Sequence, residues 1–156
     1  MFKVEIPGSN PLLLHNLVLD MNGTLTCDGR LMKGVAERLS LIKEKLEVFL
    51  LTADTFGTAS QVSEELNINL KIVDRNHGAS DKLALVEELG AEHTVAIGNG
   101  NNDHLMLKRA ALSIAVIGPE GCSALALSSS KIICLSILDA LDLLIYPSRL
   151  IATLRP

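Results

Sequence analysis

Four places along the chain put side chains suited to phosphoryl chemistry at the ends of predicted strands or just after them. Asp20 ends an apolar run in LVLDMNGTLT, residues 17–26, and Thr52 ends another in LLTADT, residues 50–55. Lys82 begins a helical pattern, and the loop GNGNND, residues 98–103, follows the apolar TVAI. Moving a phosphoryl group requires an anionic nucleophile, compensating positive charge and donors for the equatorial oxygens, because catalysis of this kind is mostly positioning and charge stabilisation. Asp20 is the candidate nucleophile, acting through an aspartyl-phosphate. Thr52 offers a hydroxyl donor, with backbone N–H groups such as that of Ala53 beside it. Lys82 supplies a compact positive charge that keeps Asp20 ionised and screens it from an anionic substrate. The expected phosphate-binding set is Asp20, Gly23, Thr52, Ala53, Lys82 and Asn102.

These residues need elements to hold them. PGSNP, residues 7–11, is a turn that joins FKVEI to LLLHNLVL as a hairpin, read as an edge ribbon whose second arm leads into Asp20. Residues 34–46 place Val35, Leu39, Ile42 and Leu46 on one helical face. EVFLLT is a short buried strand, residues 57–66 a helix and LKIVD a strand. A helix follows from Ser80 to Leu89, with Ser80 and Asp81 suited to cap it; Ser80, Asp81 and Lys82 lie too close together for the pattern to say which points inward. TVAIGN is a strand running into the Gly-rich loop, and NDHLMLKRA a helix. LSIAVI, the segment 120–128, KIICLS and a helix over 137–145 complete the alternation, with Asp139 and Asp142 as the wet stripe of that last helix. Strands alternating with helices, several of them apolar on both faces, predict an α/β fold: a mostly parallel sheet in three layers with helices on both faces. In such sheets reactive groups gather beyond the carboxyl ends of the strands, where all four places lie.

LVLDMNGTLT resembles the nucleophile motif of the haloacid dehalogenase superfamily; LLTADT, Lys82 and GNGNNDHLML resemble its second, third and fourth motifs, in the right order. Within the superfamily the Gly-Thr-Leu-Thr ending and the Gly-Asn-Gly-Asn-Asn-Asp loop are most similar to the phosphorylation domain of P-type ATPases and to small soluble proteins resembling it. The resemblance implies a Rossmannoid core, a phosphohydrolase activity and a magnesium ion held by Asp20, the Asn22 carbonyl, Asn99 and Asp103. Two positions depart from the common pattern. Asn22 stands where an aspartate usually protonates the leaving group and activates water, and losing such a group costs on the order of 10² to 10⁴ in rate, so slow turnover is expected. Asn99 stands where the metal usually meets a carboxylate, which removes one charge and weakens metal binding. The stretches 21–51 and 53–81 are too short for the inserted cap domain that many relatives carry. A single capless domain over 1–156 is expected, with an open site beside the flap-like segment CDGRLMKG, whose Asp28-Gly29 is a hairpin turn signal. An open site calls for a phosphoprotein as substrate, or a phosphorylated small molecule with a neighbouring subunit of a dimer or tetramer as lid.

Other readings of the same residues stay open. An Asp before Asn-Gly is an ordinary turn former, a Lys at a helix start is commonly a solvated charge, and Asp103 can simply cap a helix. If the two asparagines have removed turnover, the chain is a phosphate-binding or phospho-accepting regulatory module. A receiver domain uses a similar residue set but places its acidic pair first. The Gly98–Gly100 pair lacks the third glycine of a dinucleotide loop and comes late in the chain. His15, His77, His93 and His104 are scattered without ligand spacing and read as surface or packing residues.

Composition limits the alternatives further. With 3% aromatic residues, no Trp and a net charge of −4, the chain has neither a stacking platform nor a basic footprint for nucleic acid. Cys27, Cys122 and Cys134 are an odd, scattered set that argues against a disulfide framework or zinc ribbon. MFKVEIPGSNPLLLH lacks the apolar centre of a signal peptide, and no apolar run reaches the roughly 18 residues of a membrane span, so a soluble cytoplasmic protein without membrane partners is expected.

Overall fold

The strand that carries Asp20 is NLVLD, β3 (Asn16–Asp20), and all five of its residues are buried. A strand covered on both faces belongs in the middle of a parallel sheet, and β3 is found there. The computed structural model describes residues 1–156. Its main sheet adds β6 (Glu47–Thr52), β7 (Asn69–Ile72), β8 (Thr94–Gly98), β9 (Leu112–Val116) and β10 (Ile132–Cys134) in the order β10-β9-β8-β3-β6-β7, every neighbouring pair parallel.

Helices cover both faces, as the alternation predicts. On one side α1 (Val35–Ile42), α2 (Ala59–Leu66), α6 (Ile137–Ile145) and α7 (Pro147–Leu154) close a core that includes Leu17, Leu19, Leu39, Leu50, Ile97 and Leu141. On the other side α3 (Gly78–Glu88), α4 (His104–Arg109) and α5 (Ala124–Ser128) enclose a smaller core of Val18, Leu51, Val86, Ala96, Met106 and their neighbours. Alternation along β3 sends Leu17 and Leu19 to the larger core and Val18 to the smaller. The same period of two carries Asp20 toward the α3–α4 side, where Lys82 and Asp103 lie.

Several boundaries differ from expectation. Strands β1 (Phe2–Val4) and β2 (Leu12–Leu14) do pair antiparallel, but as a separate ribbon, and β2 leads by His15 straight into the central strand β3. The ribbon is therefore no edge of the main sheet. His15 stacks on His93 with ring centroids 4.8 Å apart, so both are packing residues. Helix α1 stops at Ile42, and Lys43 turns away to donate its ammonium to the Leu66 carbonyl at the end of α2. Helix α3 starts two residues early, at Gly78. The Asp74 carboxylate takes the N–H groups of Asn76 and His77 and turns the chain, so neither Ser80 nor Asp81 is the cap; Asp81 accepts from the Asp74 N–H instead. Asp142 is no wet stripe: it pairs with Arg38 of α1 at 2.7 Å and with Arg149 of α7 at 3.6 Å, tying three helices together. The short hairpin of β4 (Thr26–Cys27) and β5 (Arg30–Leu31) forms where Asp28-Gly29 predicts it. No helix is long and apolar enough to cross a membrane.

Leu39 is fully buried on the face α1 turns to the larger core. Leu39→Ala should cost about 2–5 kcal/mol through lost burial and the cavity left behind, read as a lower urea midpoint with an unchanged slope.

Candidate active site

The inner row of α3 is Gly78, Lys82, Leu85 and Val86, spaced as one helical face, and this places a lysine where an apolar residue would be expected. Lys82 is completely buried. Its Nζ donates to Asp20 Oδ1 at 2.6 Å and to Asp103 Oδ1 at 2.7 Å, leaving a third N–H unassigned. Two carboxylates around one ammonium leave one net negative charge. Burial, followed by the neighbouring Asp103 carboxylate, pushes the Asp20 carboxyl up to about 6 against the opposing pull of Lys82 and Thr24. Burial pulls the Lys82 amine down, but the Asp20 and Asp103 carboxylates outweigh it and hold the amine above its ordinary range. The lysine stays charged, as expected for it, and the Asp20 carboxyl binds a proton more readily than an ordinary aspartate.

Asp103 closes the loop after β8. Its Oδ2 accepts from the N–H groups of Asn99 at 3.0 Å and Gly100 at 2.9 Å, and Gly98 leaves room for it, since a Cβ there would lie 2.5 Å from the Asp103 Cγ. Asp103 was expected among the metal ligands. It is instead fully buried with both oxygens engaged, and it anchors Lys82 and the loop. Asn99 points inward: its Nδ2 donates to the Gly121 carbonyl at 3.0 Å, so its Oδ1 faces the Thr24 hydroxyl at 3.1 Å. Gly23, at φ +79, lies so close that a Cβ would stand 2.3 Å from the Asn99 amide.

Backbone donors gather at the ends of β3 and β6. These strands run in register with Asp20 beside Leu51, so Met21 and Asn22 continue abreast of Thr52 and Ala53. The N–H groups of Met21, Asn22 and Ala53 meet no acceptor in the chain, and Met21 is fully buried. An orphaned buried N–H group such as that of Met21 is rare in folded proteins, and neighbouring free N–H groups can form an anion-binding nest. The Thr52 oxygen accepts from the Asp54 N–H at 2.9 Å and the Asn22 amide at 3.5 Å, which leaves its own hydrogen to donate. Gly23 does not join this set, because its N–H is spent on the Thr26 carbonyl at 3.0 Å. Its contribution is the tight turn. Asn102 is exposed, its amide near Gly78 and without a hydrogen bond.

None of the molecule's four cavities is lined by these residues, and the Asp20 side chain is only 9% exposed. The tip of the β4–β5 hairpin is clasped from two directions. Gly29 packs so tightly on Phe56 that a Cβ would stand 3.1 Å from its ring, and Thr58 Oγ1 donates to the Gly29 carbonyl at 3.3 Å. From the loop after β9, Glu120 accepts the Asp28 N–H at 3.2 Å.

No group of three or more His, Cys, Asp or Glu side chains is placed to hold a metal ion. The oxygens that remain do fit a hard cation. Asp20 Oδ2 and Asn99 Oδ1 share only the Thr24 hydroxyl, and Asn22 Oδ1 is the one buried side-chain polar atom with no hydrogen-bond partner. An all-oxygen set with one carboxylate suits magnesium more than a transition metal. Sequence reasoning reads Thr24 only as part of the Gly-Thr-Leu-Thr motif, and it missed Met21 and the Gly121–Ser123 segment, whose Ser123 N–H donates to the Asn99 carbonyl at 2.8 Å.

No family model matches the chain. It is 49% identical over 90 residues to the uncharacterized protein MJ0073 of Methanocaldococcus jannaschii, an alignment covering 53% of this chain and 97% of that protein. Among solved structures it is similar to a protein from Legionella pneumophila described as a subfamily III A hydrolase of the HAD superfamily, with TM-score 0.72 and 15% identity over 90% of this chain and 86% of that one. It is also similar to the 3-deoxy-D-manno-octulosonate 8-phosphate phosphatase of Moraxella catarrhalis, with TM-score 0.68 and 18% identity over 91% and 94% of the two chains. That phosphatase was solved with magnesium, phosphate and the sugar acid bound. The fold is the haloacid dehalogenase-like fold.

The raised Asp20 carboxyl has a consequence for stability. Its folded value of about 6 lies above the ordinary value of 3.8, so the native state holds this proton more tightly than the unfolded chain does. At this group stability is gained as pH falls from about 6 to about 4 and is lost above. Asp20→Asn, free of that penalty, should make the metal-free protein more stable at pH 7, with the advantage shrinking toward pH 4. Urea midpoints at the two pH values check this, and equal midpoints at pH 7 would show that Asp20 carries no such strain.

Proposed function

The chain belongs to one family with the M. jannaschii protein MJ0073 and has the haloacid dehalogenase-like fold, and from that premise we propose that it is a phosphohydrolase working through an aspartyl-phosphate on Asp20. The observation that carries this reading is the row of unpartnered donors beside a buried carboxylate: the N–H groups of Met21, Asn22 and Ala53 and the hydroxyl of Thr52. Such donors cost nothing to align when charge develops on the phosphoryl oxygens.

In this mechanism Asp20 attacks phosphorus and the bond to the leaving oxygen breaks, leaving an acyl phosphate on Asp20. Lys82 holds Asp20 through Oδ1 and offers its third N–H to the incoming phosphoryl group. Asp103 fixes Lys82 in place. The Met21, Asn22 and Ala53 N–H groups and the Thr52 hydroxyl take the equatorial oxygens. Asp20 Oδ2, Asn99 Oδ1 and an oxygen of Asn22 would hold a divalent cation, magnesium by the character of the donors, which supplies positive charge to the nucleophile and the phosphoryl group together. With one carboxylate in that set, metal binding is weak.

Asn22 cannot shuttle a proton. The leaving oxygen must depart without a general acid and water must attack without a general base, a loss on the order of 10² to 10⁴ in rate. The same amide favours a second reading, a phospho-accepting module that keeps its phosphoryl group with little or no turnover. In either case residues 1–156 act as one capless domain on a phosphorylated small molecule or a phosphoprotein. No inserted domain interrupts the chain between Asp20 and Lys82, and a dimer or tetramer is compatible with this arrangement.

Mass spectrometry after incubation with magnesium and acetyl phosphate should find one added phosphoryl group on Asp20 and none in Asp20→Asn; an equal adduct in the variant would sink the covalent mechanism. Asn22→Asp should raise turnover of aryl phosphates by up to roughly 10², most for poor leaving groups, which need protonation. No rise, with phosphate still bound and Asp20 never modified, would favour a phosphate-binding module and remove the enzyme reading. No rise with a persistent phosphoenzyme would favour the phospho-accepting module.

A further inference from the structure

Thr24 is fully buried, yet its hydroxyl is shared. Oγ1 lies 3.3 Å from Asp20 Oδ2 and 3.1 Å from Asn99 Oδ1, and a hydroxyl has a single hydrogen to give. Neither acceptor has another donor: Lys82 takes Asp20 through its other oxygen, and Asn99 spends its Nδ2 on the Gly121 carbonyl. At any instant one of these two oxygens has no hydrogen at all. The pair is held from behind on both sides, Asp20 by Lys82, and Asn99 by Gly121 together with the Ser123 N–H on its backbone carbonyl. Thr24 alone spans the gap between them.

The same geometry explains why an amide rather than a carboxylate suits position 99. An aspartate there would replace the donating Nδ2 by an oxygen 3.0 Å from the Gly121 carbonyl, setting two acceptors against each other. The loop after β9 is built to an amide, so the charge missing at position 99 must be compensated by geometry.

We propose that Thr24 is a positioning residue that holds Asp20 Oδ2 and Asn99 Oδ1 as a preset pair of ligands for a divalent cation. The proposal rests on the reading of this site as a cation-assisted phosphoryl site. Removing groups that orient metal ligands typically weakens metal affinity about 10- to 100-fold, and the hydroxyl here orients two ligands at once.

The test is binding of Mn²⁺, as a paramagnetic stand-in for magnesium, to the unphosphorylated full chain. It compares wild type with Thr24→Val, which keeps the shape and loses the hydroxyl, and with Thr24→Ser, which keeps the hydroxyl. Thr24→Val should bind Mn²⁺ at least about tenfold more weakly and Thr24→Ser within about threefold of wild type. Inorganic phosphate should bind all three alike without metal. The cost of Thr24→Val should shrink in an Asn99→Ala background, a coupling that a merely structural threonine would not show. If Thr24→Val does not fold, Thr24→Ala takes its place under the same criteria. Wild-type Mn²⁺ affinity in the folded hydroxyl-free variant overturns the proposal alone. If wild type itself takes up no Mn²⁺ at millimolar concentration, the cation reading of the site fails and the proposal with it.

Discussion

The ammonium of Lys82, buried between Asp20 and Asp103, is the interaction on which the rest of this molecule depends. An ion pair taken out of water is stable only when its partners are held in good geometry, because desolvation costs several kcal/mol per charge. Three elements are recruited to meet that condition. Strand β3 delivers one carboxylate at the centre of the sheet, α3 delivers the amine from its inner row, and the loop after β8 delivers the second carboxylate, folded on its own backbone N–H groups. Gly98 is required where it is because Asp103 occupies the space a side chain would need. The outcome is a rigid base with one net negative charge, beside donors that the chain itself does not use.

Much of this was legible in the sequence, for a physical reason. Buried parallel strands read as apolar runs, so a polar residue at the end of a run stands out, and Asp20, Thr52 and the loop from Asn99 to Asp103 stand out in that way. Lys82 was legible as a charge but not as a buried one. The turn built by Asp74 starts α3 two residues earlier than expected and thereby decides which of Ser80, Asp81 and Lys82 faces inward.

What could not be read has a common character: it depends on backbone groups or on contacts between distant loops. The unpaired N–H of Met21 leaves no mark on side-chain pattern, and Gly23 attracts attention as a flexible residue although its N–H is already spent. The placement of Asn99 comes from the Gly121 carbonyl, some twenty positions on, in a loop with no motif of its own. Asp142 shows the same limitation, since its partners Arg38 and Arg149 belong to other helices. The clasped hairpin belongs here too. Its turn is signalled by Asp28-Gly29, but only the folded chain brings Phe56, Thr58 and Glu120 to its tip.

The clasp couples the hairpin to two loops at once. Its three tethers come from loops on opposite sides of β3, each modest by itself, and they must part together before the tip can swing free. Such joint openings belong to the rarer excursions of a native protein, spaced by the free energy of the local opening rather than by any chemical step. Loosening one tether would make those openings more frequent while leaving Asp20, Thr52 and Lys82 where they are.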